Sequence, residues 1–305
     1  MSARLTPVTF ASHGSPWMCC KESKSSEWWA KFGQQALDNG VKGVVFIGAH
    51  WEELNDKIRV ATKFDPGRAQ MDMVPRSHWE NYPINVSEKL AYRVISLLRE
   101  HQFHDVEADP TFDWHDDTIT PAKWMFPSGT PPATVVSLNA RFKPSFHVKI
   151  GMALGKLRGE GILIVGSGGA VHNLYRNNWL PMLRSGDNFQ PDKKPAQWAL
   201  DFGSAVTEVI KNNEVSSSAA HGLPSIGFTD TVQQGPSLSG GLIRLTQHPK
   251  YKDAHPTDDH YFPLLVAGGA ASTAAGNGKL MAQTWELQNM CNSQYVWGSW
   301  VESEG

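Results

Sequence analysis

The 305-residue sequence predicts an α/β fold: a single domain with a central, largely parallel or mixed sheet flanked by helices. Three observations predict it. Short apolar runs rich in β-branched residues recur along the chain, stretches of helical spacing lie between them, and most of the runs end in a glycine-bearing turn that carries a histidine. In open α/β sheets ligands gather outside the carboxyl ends of the strands, so the third observation also places a site at that edge.

The first run, Val8-Thr9-Phe10-Ala11, leads into Ser12-His13-Gly14-Ser15-Pro16. The second, Val44-Val45-Phe46-Ile47, leads into Gly48-Ala49-His50-Trp51. A third covers Thr134 to Leu138, and a fourth, Ile162 to Val165, opens onto Gly166-Ser167-Gly168-Gly169-Ala170-Val171-His172-Asn173. None alternates cleanly with polar residues, as expected of strands covered on both faces. Leu90, Val94, Leu97 and Leu98 share one face of a helix after Val86. Val148, Met152 and Leu157 do roughly the same in a helix for which Ser145 is the expected N-cap. A later helix carries Trp198, Phe202, Val206 and Ile210. The insertion 212–252, rich in Ser and Gly, reads as an irregular loop or a lid. Beyond it, Thr257 is the expected N-cap of an apolar helix with Asp258, Asp259 and His260 in its first turn, and His255 in the loop before it. No linker divides the chain, so 1–305 is expected to be one domain.

Composition narrows the function. A formal charge of -2 and a pI near 6.6 give no basic field for nucleic acid. No run approaches the ~20 apolar residues of a membrane span, so no membrane partner is expected. The three cysteines, Cys19, Cys20 and Cys291, suit neither a disulfide framework nor a CxxC metal site. A soluble, cytoplasmic protein is the expectation. The Gly166–Gly169 turn lacks the Lys-Ser/Thr of a P-loop, and no GxSxG nucleophile elbow occurs.

One loop histidine is more often a hydrogen-bonding residue than a ligand. Three at equivalent positions past buried strands, His13, His50 and His172, are different, because one sheet edge brings the imidazoles together. Imidazole suits Zn, Cu and Fe, and a partly open site of this kind fits non-haem iron or catalytic zinc. His260 lies beside two carboxylates, which suits a ligand held by a second layer of hydrogen bonds. His115 lies in a polar loop, and His78, His101, His104, His147, His221 and His248 are expected in loops or on helix surfaces.

The stretches FASHGSPWM (Phe10–Met18), VVFIGAHWE (Val44–Glu52), DWHDDTITPAKWMFP (Asp113–Pro127), IVGSGGAVHNL (Ile164–Leu174) and HPTDDHYFPLLVAGGA (His255–Ala270) together carry a resemblance that runs through nearly the whole chain. The sequence resembles the class III extradiol ring-cleavage dioxygenases, in particular the DOPA 4,5-dioxygenase-like group. That resemblance implies one divalent metal, Fe(II) for activity with Zn(II) a frequent occupant of purified protein, held by His13, His50 and His260. The wider superfamily has a Glu at the last of these positions, so the site here would be all-histidine. The resemblance further implies His172 as acid/base, His115 as a second pocket histidine, and His172 or His255 as candidate fourth ligands. The implied substrates are a small catecholic compound and O2, with His172 taking a catechol proton and His115 hydrogen-bonding oxygen or a substrate hydroxyl. The run Trp114-His115-Asp116 departs from the family's His-Gly at that place, and the 212–252 insertion is longer than the group's pattern. Trp17, Trp51, Trp114 and Tyr261 are candidates to face an aromatic ring. Two other readings use the same residues: a zinc-dependent hydrolase with a metal-bound water, and a non-catalytic, Memo-like binding protein. His115 and His172 are both present, which favours the enzyme.

Overall fold

The computed structural model describes residues 5–189, 193–212, 238–272 and 277–300. Its central sheet contains β1 (Val8–Ser12), β2 (Gly43–Ile47), β3 (Ala133–Val135), β4 (Ile162–Gly168), β5 (Lys279–Glu286) and β6 (Met290–Trp297). The order is β3-β2-β4-β1-β6-β5. β3, β2, β4 and β1 run parallel, whereas β6 pairs antiparallel with both β1 and β5. The sheet is therefore mixed, and the four parallel strands send their carboxyl ends to one edge.

Side chains alternate between two cores. Val8, Phe10, Val45, Ile47, Ile162 and Ile164 face one, while Ala11, Val44, Phe46, Leu163 and Val165 face the other. This double coverage explains why the parallel strands read as continuous apolar runs. The covering helices are, in chain order, α1 (Lys24–Asp38), α2 (Glu88–Glu100), α3 (Asp116–Met125), α4 (Pro144–Leu154), α5 (Gln197–Asn212), α6 (Leu238–Leu245) and α7 (Phe262–Ala271). α1 and α3 lie over the second core, and the rest build the first. Each Leu, Val or Phe so buried contributes roughly 1.5–3 kcal/mol. α1 starts at a capping box, in which Ser23 Oγ accepts the Ser26 N–H and Ser26 Oγ accepts the Ser23 N–H. α4 and α7 cross with their backbones nearly touching, because a Cβ at Gly151 would stand 2.0 Å from the Val266 carbonyl oxygen. Among the described residues no helix is long and apolar enough to cross a membrane, and the three cysteines are free.

Several expectations need correction. The third run does not continue to Leu138 in the sheet. Ser137 exchanges hydrogen bonds with Arg59, and Leu138–Asn139 pairs instead with Glu52–Glu53. α4 is not capped by Ser145; it opens after Lys143 with Pro144 at its first position, where a missing N–H costs nothing. Met152 is exposed on this helix, and Leu157 lies past its end in a 3-10 turn. α7 does not begin at Thr257. Residues 256–261 form turns in which the Asp258 carbonyl accepts the Tyr261 and Phe262 N–H groups, so His260 precedes the helix. His147 is buried rather than superficial. The described part of the insertion is not irregular, since it contains α6 and the short helix Tyr251–Ala254; residues 213–237, with His221, lie outside the described residues.

Candidate metal centre

The end of β4 organises the site. The Gly168 carbonyl accepts the His13 N–H (3.0 Å), and the neighbouring Gly169 N–H donates to the His260 carbonyl (2.8 Å). One turn thus holds the chain beside two of the histidines. The third is fixed from α3, where Asp117 Oδ2 accepts the His50 N–H (2.9 Å). His13, His50 and His260 each present a ring nitrogen within 4.8 Å of the others. Their ring centroids are 5.1–5.5 Å apart.

Each Nδ1 is anchored outside this cluster. A carboxylate has no proton to give, so the His50 Nδ1–H donates to Asp116 Oδ1 (2.9 Å) and the His260 Nδ1–H to Asp259 Oδ2 (2.7 Å). Ser167 Oγ–H donates to the Asp117 carbonyl and therefore accepts the His13 Nδ1–H at 3.2 Å. These anchors leave all three Nε2 atoms as lone-pair donors, the arrangement that metal-binding imidazoles use. His13 Nε2 is buried without a hydrogen-bond partner, and the Nε2 atoms of His50 and His260 are 3.2 Å apart. Two nitrogens that close must share a proton or a metal cation. Two nitrogens about 2.0–2.1 Å from a shared ion fall at such a spacing, so the donor set fits a metal.

The electrostatics favour positive charge here. Burial works against the His50 cation, but Asp117 and the hydrogen-bonded Asp116 outweigh it and raise its pKa to about 9. Burial likewise opposes the Asp116 and Asp259 carboxylates, yet their histidine partners hold both well below the usual range. Burial, with His260 and His50 beside it, keeps His13 neutral.

The other predicted residues sit differently. His172 lies flat on His260, with ring centroids 3.6 Å apart and planes 7° from parallel, so it flanks the cluster rather than joining it. Its Nδ1 is buried and unpartnered, and burial together with His260 and His13 keeps it neutral. His115 is the N-cap residue of α3, 6.2 Å from the His50 ring. His255 is not brought into the cluster: its Nε2–H donates to the Ala170 carbonyl (3.1 Å), within a shell of Phe202, Tyr251 and Tyr261. Trp114 and Tyr261 are core residues, and Trp17 is buried with its indole N–H on the Met73 carbonyl. Trp51 stacks on Phe112 at 3.9 Å, and Phe112 stacks on His115 in turn, forming an aromatic wall that ends at His50.

Sequence reasoning missed Ser167, Phe112 and the ligand-orienting part of Asp116 and Asp117. A signal for the carboxylates was present: each acidic pair adjoins a histidine, in His115-Asp116-Asp117 and in Asp258-Asp259-His260.

Comparison with known proteins gives the same lineage. The chain is 27% identical over 291 residues to a protein of Beta vulgaris named 4,5-DOPA dioxygenase extradiol, covering 95% of this chain and 96% of the relative. It is 26% identical over 276 residues to one of that name from Escherichia coli K12 (88% and 87%), and 28% identical over 263 residues to the dioxygenase tasH of Hapsidospora irregularis (86% and 73%). In fold it matches the crystal structure of an uncharacterized protein of Escherichia coli K12, with a TM-score of 0.70, 23% identity, and coverage of 97% of this chain and 100% of that one. A family model, described as the catalytic LigB subunit of aromatic ring-opening dioxygenase, matches residues 7–298. With that match over nearly its whole length, this chain belongs to the LigB family of aromatic ring-opening dioxygenases.

Proposed function

We propose that the protein is an extradiol dioxygenase that opens the ring of a catecholic substrate with O2, at one Fe(II) held by His13, His50 and His260. The observation that carries the reading is the convergence of three Nε2 atoms, each fixed by an anchored Nδ1, in a chain of this family. Held by the Nε2 atoms of His13, His50 and His260, iron(II) would supply Lewis acidity and an electron path between a catechol and O2.

The protein's own residues supply positioning and proton transfer. Kept neutral at pH 7, the His172 imidazole is a base that accepts a proton from a substrate hydroxyl. Its stacking on His260 fixes the ring's plane. His115, at the end of the Trp51–Phe112 wall, hydrogen-bonds a substrate hydroxyl or oxygen, and the wall offers its face to an aromatic ring. Asp116 and Asp259 place negative charge behind His50 and His260.

The test is anaerobic loading with Fe(II), followed by a catechol panel and O2. A yellow ring-opened product with matching O2 uptake is expected. His172→Ala should retain the metal and lose ring opening. Zinc-sustained turnover without O2 uptake would instead show a hydrolase, and neither turnover nor uptake would point to a binding protein.

A further inference from the structure

Glu286, at the end of β5, is fully buried. Its Oε2 accepts the Ser15 N–H (3.0 Å) and the Asn292 side-chain amide; its Oε1 accepts Ser15 Oγ–H (2.6 Å) and the Asn188 side-chain amide (2.7 Å). Among the described residues no cation pairs with it. Burial pushes the Glu286 carboxyl up while the hydrogen bonds from Ser15, Asn188 and Asn292 oppose it, and three of those donors are N–H groups that can only donate. The donors belong to three parts of the chain: the loop after β1, the segment beyond His172, and β6.

That loop is the one that carries His13. Gly14, the next residue, has φ +72°, and a Cβ there would lie 2.2 Å from Glu286 Oε2. The carboxylate thus lies directly against the Gly14 backbone and fixes the following Ser15 at both its N–H and its hydroxyl. His13 itself is tied by its N–H to Gly168 and by its ring to Ser167. Without Glu286 the chain on the far side of His13 has no such anchor, and a shift of about 0.5 Å is enough to spoil a binding constellation. We infer that Glu286 is a positioning residue that aims His13 Nε2 at the metal site. The inference rests on the reading of His13 as a metal ligand.

Glu286→Gln tests it. An amide keeps the shape but puts an NH2 where two donors already converge, setting donor against donor. The probe is Co(II), whose visible absorption reports coordination geometry without turnover. We expect a native far-UV spectrum, Co(II) binding weakened by about 10–100-fold, and an altered visible band. The double variant with His13→Ala should bind Co(II) no more weakly than His13→Ala alone. Val209→Ala, a core change away from the loop, should lower Tm and leave Co(II) affinity and band as in wild type. If Glu286→Gln does not fold, Ser15→Ala removes one of the four bonds and should weaken Co(II) on the order of threefold. Wild-type affinity and band in the foldable variant, or additive losses in the double variant, overturn the inference. Those results with His13→Ala still defective overturn it alone. Wild-type binding in His13→Ala overturns the ligand reading and the inference with it.

Discussion

His147 shows what burial does to a single imidazole outside the site. Within α4 its Nδ1–H donates to the Lys143 carbonyl (2.9 Å), and its Nε2 accepts the Asn139 N–H (3.1 Å). Both nitrogens are satisfied only in the neutral ring, and burial pushes the pKa down to about 4. The unfolded chain binds this proton near pH 6.5, so between about 6.5 and 4 the unfolded state holds more protons than the folded one. Stability from this residue is therefore complete above pH 6.5 and is lost as pH falls toward 4, by roughly 3 kcal/mol across the window. Urea unfolding at pH 4.5 to 7 should show that slope, reduced by about one proton in His147→Gln. An unchanged slope would mean that other groups carry it.

At the scale of elements, the crossing of α4 and α7 is among the most exacting contacts. Gly151→Ala places a methyl group on the Val266 carbonyl oxygen, and neither helix backbone can yield locally. A loss of about 1–3 kcal/mol is expected, read as a drop in Tm. His260 stands two residues before α7, so metal retention should fall with it. The sequence made four strands legible because strands covered on both faces must be apolar. It did not show the β5–β6 hairpin, where Asn292, Ser293 and Gln294 interrupt the apolar pattern of a wholly buried strand. Their polar groups are used inside: Gln294 Oε1 accepts the Ser12 N–H and the Trp29 indole N–H, and Asn292 donates to Glu286. Tertiary partners of that kind leave no periodic trace. The three clustered histidines are those the family resemblance singled out, whereas His255, only five residues from His260, lies behind the Ala170 backbone. Spacing along the chain does not report which side of a backbone a ring occupies.

For the molecule as a whole, the site joins the loop after β1, the loop after β2 and the turn before α7. An ion held there binds only the folded chain, so it stabilises by mass action, about 2.7 kcal/mol at a hundredfold excess over Kd. Removing it with a chelator should lower Tm by roughly 4 °C. His260→Ala should show little chelator-dependent shift; an equal shift in that variant would place the stabilising ion elsewhere.

The distance between these contributors along the chain has a consequence during synthesis. His50 and His260 are 210 residues apart. At ordinary translation speeds that gap lasts on the order of 10–40 s. A nascent chain through that interval owns two of the three imidazoles, and Asp259 has not yet been made. A metal ion meeting the growing polypeptide finds no complete seat, so the site can be filled only once His260 and its surroundings have been made.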